Sequence, residues 1–117
     1  MSTNADCIFC KIVLNQIPAK IADANDQVIA FHDLTPRAPT HILIIPRDHI
    51  SSVNDLSRST ASVLADMTLM AQKLAKEADL SESGYRIVMN TGKNAGQTVF
   101  HLHMHLLGGR PMDWPPG

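Results

Sequence analysis

The sequence predicts an α+β fold, in which a mainly antiparallel sheet of about five strands packs with one long helix and one short helix. Two observations predict it. Segments rich in β-branched and aromatic residues are joined by short links, and one long stretch, residues 57–78, repeats apolar residues at helical spacing. The length of 117 residues fits one domain, which we place at residues 1–117. The sequence shows no internal repeat and no low-complexity segment.

The first half of the chain predicts one short helix and three strands. Residues 7–15 form a short helix or turn that ends by Pro18, and residues 20–24 can form a short strand. A second strand covers residues 27–33. Two prolines then exclude helix and ladder pairing, so a loop follows. Residues 40–46 are nearly all apolar and form a strand that we expect at the centre of the sheet.

The second half predicts the long helix and two more strands. The apolar stripe of the helix consists of Val63, Leu64, Met67, Met70, Ala71 and Leu74. Gly84 closes the turn that follows, and residues 85–91 form a strand. After a glycine-containing turn, residues 98–107 form the last strand, which a pair of glycines ends.

Composition and charge exclude several classes of partner. The net charge of -1 gives no basic surface for an extended nucleic acid, although backbone amides and a few histidines can hold a small anion. No apolar run approaches the roughly 20 residues of a membrane span, so we expect no membrane partner. The first residues lack the basic and apolar regions of a secretory signal. We therefore expect a cytoplasmic protein.

Three histidines recur at every second position near the end of the chain: His101, His103 and His105. Because a strand sends alternate side chains to opposite faces, the imidazoles would line one face and the apolar residues between them would be buried on the other. Adjacent imidazoles would start roughly 7 Å apart, which suits groups around one phosphate or one metal. Imidazole can act near neutral pH as nucleophile, acid or base. A polar strand face without chemistry and a zinc site on this strand are the alternatives.

The turn before this strand offers groups that can contact a phosphate. Gly96 lets backbone amides approach an anion, and the hydroxyl of Thr98 can donate to a phosphate oxygen. The sequence therefore places an anion-binding turn directly before the three histidines.

Residues 101–107 resemble the H-φ-H-φ-H-φ-φ motif of the histidine triad (HIT) superfamily, in which φ is an apolar residue. The whole chain resembles the histidine triad nucleotide-binding (HINT) branch over nearly all of its length. The resemblance implies a HIT-like fold and a homodimer with a joined sheet. The segments that support it are residues 9–12, 17–20, 30–33, 38–41, 45–50, 108–110 and 114–117.

The resemblance implies a hydrolase that cleaves the P–N bond of purine nucleoside 5'-phosphoramidates, such as adenosine 5'-phosphoramidate and aminoacyl adenylates. His103 would attack the α-phosphorus and form a nucleotidyl-histidine intermediate, from which water releases AMP or GMP. His105 would contact the phosphate and assist departure of the amine. His101 and His41 would orient the nucleophile and relay protons. No catalytic metal is expected.

The resemblance also assigns nucleotide contacts. Asp33 would hold the ribose hydroxyls, and Leu34 would lie against the nucleoside; a cap on the turn after the strand is the alternative for Asp33. Asn90 would contact the phosphate, and the alternative is a simple turn residue. The remaining nucleotide contacts would be Gly96, Gln97, Thr98 and Val99, together with His103 and His105. Thr98 stands where the family often has serine, so the hydroxyl is kept.

Cys7 and Cys10 form a C-x-x-C pair with the spacing of zinc ligands, and two histidines would complete a tetrahedral site. Two reduced, buried cysteines are the alternative, and no surrounding βαβ pattern supports a dithiol redox role. The chain resembles bacterial relatives in which zinc is also bound by the histidine of I-P-x-x-H and the first triad histidine, here His49 and His101. Such a zinc would be structural and would leave His103 free.

Trp114 is the only tryptophan and lies in a proline-bound tail. The resemblance implies that residues 108–117 lie at the dimer interface and influence substrate choice, whereas packing on its own subunit is the alternative for Trp114. Two other functions stay open: a dinucleoside polyphosphate hydrolase from another HIT branch, and a nucleotide-binding or scaffold protein with incidental catalysis. The glycine pair after the triad and the ending at residues 114–117 favour the phosphoramidase.

Overall fold

The computed structural model describes residues 3–117. Two helices are α1 (Ile8–Val13) and α2 (Ser62–Glu77), and five strands are β1 (Ile21–Ala24), β2 (Val28–His32), β3 (Thr40–Pro46), β4 (Tyr85–Val88) and β5 (Met104–Gly108). The strands form one sheet in the order β1-β2-β3-β5-β4, and every neighbouring pair is antiparallel. This confirms the predicted fold class and the central position of β3. Among residues 3–117, no helix is long and apolar enough to cross a membrane.

The sheet has two buried faces, and a different helix covers each one. The stripe predicted for α2 packs on the first face, where alternate residues of the central strands, such as Ile44 and Leu106, are fully buried. On the second face, Phe9 of α1 packs with Phe31 and Ile45. The residues on the second face include those that the histidine motif uses, because β3 and β5 alternate between the two faces.

A residue in the left-handed conformation follows each helix by two positions and ends it slightly earlier than predicted. The short helix ends at Val13, two residues before the predicted end, because Asn15 has a φ of 58° and the next amide, of Gln16, bonds back to Lys11 at 2.8 Å. The long helix ends at Glu77, one residue before the predicted end, and Asp79 after it has a φ of 59°. In both cases the positive φ closes a helix-terminating turn of the Schellman type.

The long helix begins five residues later than predicted, at Ser62 instead of residue 57. The hydroxyl of Thr60 accepts a hydrogen bond from the Ser57 amide at 2.9 Å and lies 3.2 Å from the Ser57 hydroxyl. Serine and threonine hydroxyls compete in this way with the backbone bonds of a helix. The segment before Ser62 is therefore a turn that leads into the helix.

The last strand is also shorter than predicted, because β5 begins at Met104 and the segment from residue 98 to residue 103 lies outside the sheet. The pairing of Ile44 with Met104 would place Leu102 opposite Pro46, which has no amide proton to donate. The Leu102 amide instead bonds to the carbonyl of Ile50 at 2.6 Å. Strand β4 ends at Val88, which pairs with His105, three residues before the predicted end at residue 91.

Candidate active site and metal centre

His103 lies at the centre of the candidate site and is buried. It precedes β5 instead of lying within it, so the prediction of three histidines on one strand is wrong for His101 and His103. Its Nδ1 lies 2.8 Å from the backbone carbonyl of His101. Because a carbonyl can only accept, Nδ1 carries the proton and a neutral His103 has its lone pair on Nε2. The chain thus presents an imidazole in the tautomer that a nucleophile needs.

His105 lies on β5 and forms a pair with His41 of the neighbouring strand β3. The Nε2 of His41 lies 2.9 Å from the Nδ1 of His105, and the ring centres are 5.2 Å apart. Burial, with smaller contributions from the nearby His103 and His41, lowers the pKa of His105 to about 4. Burial also lowers the pKa of His41. Both rings are therefore neutral in the free protein near pH 7.

The direction of the hydrogen bond in this pair follows from the backbone. The amide of Arg37 donates to the Nδ1 of His41 at 3.0 Å, so that nitrogen carries the lone pair. A neutral His41 must then be protonated on Nε2, which donates to the Nδ1 of His105. The proton of a neutral His105 is left on its opposite nitrogen, Nε2, where it can be donated to a bound group.

Asp33 completes this part of the site, directly after β2. One carboxylate oxygen accepts from the Thr35 amide at 2.8 Å, and the other lies 3.5 Å from the Nε2 of His41. The ligand atoms of Asp33, His41 and His105 all lie within 4.8 Å of one another, a spacing that a metal could bridge. A metal would need the lone pair of His41 on Nε2, however, where the Arg37 amide places a proton. The arrangement fits a proton relay better than a metal site.

The other predicted nucleotide contacts lie on exposed or half-buried loops around the histidines. Leu34 is 95% exposed beside Asp33, which leaves its side chain free to cover an apolar ligand. Asn90 is half-buried and lies two residues after Val88, which pairs with His105 at the end of β4.

In the turn before the histidines, Gln97 differs from its neighbours because it is buried. Thr98 is exposed, Val99 is half-buried and Gly96 has a φ of 89°, a conformation that favours glycine. Gln97 is buried and its side chain is fully engaged. It accepts from the Gly92 amide at 2.9 Å and donates to the carbonyls of Ser51 and Val99 at 2.8 and 3.1 Å. The Gln97 side chain therefore fixes the shape of the turn.

The structure brings together the four residues predicted to bind zinc: Cys7, Cys10, His49 and His101. Sγ of Cys7 lies 3.3 Å from Nδ1 of His101, and Sγ of Cys10 lies 3.4 Å from Nδ1 of His49 and 3.5 Å from Nδ1 of His101. In a tetrahedral zinc site with Zn–S of about 2.3 Å and Zn–N of about 2.05 Å, the sulfur–nitrogen edge is about 3.5 Å. The four side chains therefore fit a tetrahedral metal ion.

The surroundings of His101 also suit a metal ligand. Its Nε2 donates to the carbonyl of Pro46 at 2.8 Å, so a neutral His101 directs the lone pair of Nδ1 at the two sulfurs. Metal-binding histidines commonly donate their second ring nitrogen to a carbonyl in this manner. Burial lowers the pKa of His101 to about 4, which keeps the ring neutral, and burial also raises the pKa of the Cys10 thiol.

Phe9 connects the two parts of the site and was not identified from the sequence as a site residue. Its ring meets His103 edge-on with centres 5.2 Å apart, and meets His101 at 5.9 Å. It lies between Cys7 and Cys10 in sequence, so the helix that follows Cys7 and includes Cys10 also packs against His103. The sequence feature that could have identified Phe9 is its position between Cys7 and Cys10 in a short predicted helix.

Two cavities, of about 470 and 380 Å³, have His49 in their walls. The smaller one is also lined by Cys7 and Thr98, so it lies beside the cysteine–histidine cluster and the turn before the histidines.

Comparisons with family models, with curated proteins and with solved structures all point to the same family. The model of the HIT domain family matches residues 15–112. The chain is 49% identical to the purine nucleoside phosphoramidase of Escherichia coli K12 over 107 residues, which cover 92% of this chain and 90% of that protein. It superposes with a TM-score of 0.94 on a HIT family hydrolase from Legionella pneumophila, with 48% identity and coverage of 96% and 100%. A histidine triad nucleotide-binding protein from Candida albicans gives a TM-score of 0.81 at 32% identity, with coverage of 94% and 83%.

Proposed function

The chain belongs to the HIT domain family, and from this membership we propose that it hydrolyses the P–N bond of purine nucleoside 5'-phosphoramidates. Similarity to a relative named purine nucleoside phosphoramidase and to a HIT family hydrolase supports hydrolase activity in general. The finer proposal is that His103 is the nucleophile and that the products are an amine and AMP or GMP.

The observation that carries this proposal is the fixed tautomer of His103. The hydrogen bond from Nδ1 to the carbonyl of His101, at 2.8 Å, leaves a lone pair on Nε2. A nucleophile held in one orientation loses little entropy on reaching the phosphorus. Without the bond, the ring could rotate or carry its proton on Nε2, and the attack would be lost.

In the first step, Nε2 of His103 forms a bond to the α-phosphorus, and the electron pair of the P–N bond leaves on nitrogen. The bound phosphate favours a protonated His41–His105 pair, and His105 donates the extra proton from its Nε2 to that nitrogen, which leaves both rings neutral, because an amine leaves far more readily than an amide anion. In the second step, water attacks the phosphorus, its proton passes to His105, and the bond to His103 breaks. Over both steps His105 gives one proton and recovers one.

The nucleotide contacts are proposed as the resemblance assigns them. Asp33 would bind the ribose hydroxyls, supported by its position 3.5 Å from His41, and Leu34 would cover the nucleoside. Phosphate contacts would come from Asn90 and from the turn at Gly96, Gln97, Thr98 and Val99. Because the Gln97 side chain is engaged within the protein, it would act by holding this turn.

Zinc would be held by Cys7, Cys10, His49 and His101, whose ligand atoms lie within 4.8 Å of one another. Bound there, it would supply structural stability, because four protein ligands leave no open position. The cysteines are free thiols, which is consistent with the cytoplasmic setting that we propose.

We also propose that two copies of this domain form a homodimer with a joined sheet. Strand β4 is an edge strand, and its Tyr85 and Ile87 are exposed apolar residues. Trp114 in the tail is 82% exposed, which is unusual for tryptophan unless a partner covers it. Light scattering coupled to size exclusion would give twice the chain mass, and a monomer at micromolar concentration would contradict the proposal.

The function is tested with adenosine 5'-phosphoramidate and, in parallel, diadenosine polyphosphates. We expect turnover of the phosphoramidate, and a loss of at least about 10³-fold for His103→Ala, as is typical when a nucleophile is removed. His32→Ala is the matched control, because His32 ends β2 and has no role in the proposed steps. Rapid quenching should trap the wild-type chain with one added nucleoside monophosphate.

Each alternative has its own result. Preferred turnover of a diadenosine polyphosphate would favour the other HIT branch, and full activity of His103→Ala would overturn the mechanism. Nucleotide binding without turnover of any substrate would favour a binding or scaffold protein.

A further inference from the structure

The backbone of Arg37 is hydrogen-bonded through both its amide and its carbonyl, although its side chain is exposed. Its amide donates to Nδ1 of the buried His41 at 3.0 Å, and its carbonyl accepts from Nε of Arg110 at 2.9 Å. Arg110 follows β5, so the backbone of one residue joins the His41–His105 pair to the C-terminal segment of the chain. Within the loop 34–39, only Leu34 enters the proposed nucleotide contacts.

The contact with Arg110 is held in place by its surroundings. The Nη1 of Arg110 donates to the carbonyl of Pro111 at 3.0 Å, which fixes the guanidinium. Gly109 passes so close to the loop that a Cβ on it would lie 2.9 Å from the Cβ of Pro39, and its φ is +94°. The segment after β5 and the loop before β3 are therefore packed tightly at this point.

The Arg37 amide affects both the tautomer and the proton affinity of His41. A backbone N–H that points at Nδ1 stabilises the ring with its lone pair there, and it opposes any form that has a proton on that nitrogen. The doubly protonated ring is such a form. The other groups that face His41 are the Asp33 carboxylate, which favours a protonated ring, and His105 and the Arg37 guanidinium, which oppose it.

We propose that Arg37, through its backbone amide, and Arg110, through its bond to the Arg37 carbonyl, are positioning residues that set the direction of proton donation from His41 to His105. This proposal rests on the proposed hydrolase function. The direction of the hydrogen bond from His41 to His105 matters for that function, because His105 must present a proton on Nε2 to the leaving amine. The tautomer itself is a property of the free protein and can be measured without any substrate.

The first measurement is the tautomer of His41 in the wild-type protein. Two-bond proton–nitrogen correlation spectra of the histidine rings distinguish a protonated from an unprotonated nitrogen, and His41→Gln assigns the signals. We expect His41 to be protonated on Nε2 near pH 7. Protonation on Nδ1 would overturn the proposal, whatever the enzymatic activity.

The second measurement removes the amide. Arg37→Pro deletes the N–H, and Arg37→Ala is the matched reference that keeps it while removing the same side chain. Relative to Arg37→Ala, we expect Arg37→Pro to lower kcat/KM roughly three- to tenfold, the factor that corresponds to one neutral hydrogen bond. We also expect the acid limb of its pH profile to move to higher pH, because protonation at Nδ1 of His41 is no longer opposed.

The third measurement keeps the proposal testable if proline disturbs the loop. Arg110→Ala removes the bond to the Arg37 carbonyl, and we expect it to show the same changes with about a two- to threefold loss. Arg47→Ala is its control, because the Nε of Arg47 donates in the same way to a loop carbonyl, that of Asn25, far from His41. Equal pH profiles and equal tautomers in all variants would overturn the proposal.

Failure of the proposed function gives a different pattern. In that case the wild-type protein would not hydrolyse the phosphoramidate, yet His41 would still be protonated on Nε2 and Arg37→Pro would still change the tautomer.

Discussion

The His101 side of the site and the His105 side are built from the same residue type, yet their surroundings differ. His101 is fully buried, and its Nε2 is bonded to the carbonyl of Pro46 while Nδ1 faces two sulfurs. His105 is only partly buried, and its Nδ1 accepts from His41, which leaves the ring proton on Nε2. His103 lies between the two, with Nδ1 bonded to the carbonyl of His101.

The difference shows how alternating histidines acquire separate roles. In each ring one nitrogen is bonded to a backbone group, or to a ring that is itself bonded to one, and that bond decides what the other nitrogen can do. Under the proposed function, His101 would offer a lone pair to a metal, His103 would offer one to phosphorus, and His105 would offer a proton. Substitutions on the His105 side should therefore affect mainly activity, and substitutions on the His101 side should affect mainly stability.

The largest expected effect separates the two sides by activity. His105→Asn removes the proposed proton donor, and we expect kcat/KM for adenosine 5'-phosphoramidate to fall by about 10²- to 10⁴-fold, the usual contribution of a general acid. The melting temperature and the metal content should change little, because the His101 side is untouched. Steady-state kinetics, calorimetry and metal analysis check these expectations.

The nature of the His105 defect can be tested with a second substrate. A nucleoside 5'-(4-nitrophenyl) phosphate has a leaving group that departs without a proton, so His105→Asn should impair its cleavage much less. His32→Asn, at the end of β2, is the control for loss of a histidine. An equal loss on both substrates would show that His105 acts by binding phosphate and not as an acid.

The next effect separates the two sides by stability. Protein purified without chelator should contain about one zinc per chain, and Cys10→Ser should abolish it. With free zinc at a hundred to a thousand times its Kd, bound metal contributes roughly 3–4 kcal/mol, so we expect the free energy of unfolding to fall by about that amount. Urea denaturation with and without added zinc measures the difference.

His105→Asn serves as the matched control for this experiment, because it alters a partly buried histidine on the same face without touching a metal ligand. It should keep its zinc and respond to chelator as the wild-type protein does. Metal content near zero in the wild-type protein would contradict the zinc site, and the four residues would then be a buried thiol–imidazole cluster.

The elements of the fold could be predicted from the sequence because each has a local cause. The apolar run of β3 and the stripe of α2 are fixed by burial, and their positions were predicted well. The ends were predicted less well. The left-handed residues Asn15 and Asp79 end the helices, and neither residue type requires that conformation. The early end of strand pairing at β5 depends on Pro46 in another strand, which period-two spacing cannot reveal.

The candidate site could be predicted as a set of residues but not as an arrangement. The spacing of His101, His103 and His105 and the C-x-x-C pair were sufficient to single out the side chains. The bonds that assign their roles come from backbone groups distant in the chain, such as the Pro46 carbonyl and the Arg37 amide. Any residue type except proline has an amide, so the identity of residue 37 gives no signal of this kind.

The smallest expected effect is on the pH dependence of stability, and it concerns the His105 side. Burial lowers the pKa of His105 to about 4, compared with about 6.5 in an unfolded chain. Between these two values the unfolded chain binds a proton that the folded chain does not, so the free energy of unfolding falls as pH falls from about 6.5 to about 4. His105→Asn should reduce the slope of the free energy of unfolding against pH. The reduction should correspond to less than one bound proton, because the ring is only partly buried.

Urea denaturation at constant zinc, from pH 7 to pH 4, measures the slopes, with His32→Asn as the control. Adding AMP makes the test sharper, because a phosphate beside His105 favours the protonated ring and raises its pKa. The wild-type slope with AMP should therefore approach the slope of His105→Asn. If AMP leaves the wild-type slope unchanged, the phosphate does not lie beside His105, and the separation of roles between the two sides of the site would have to be redrawn.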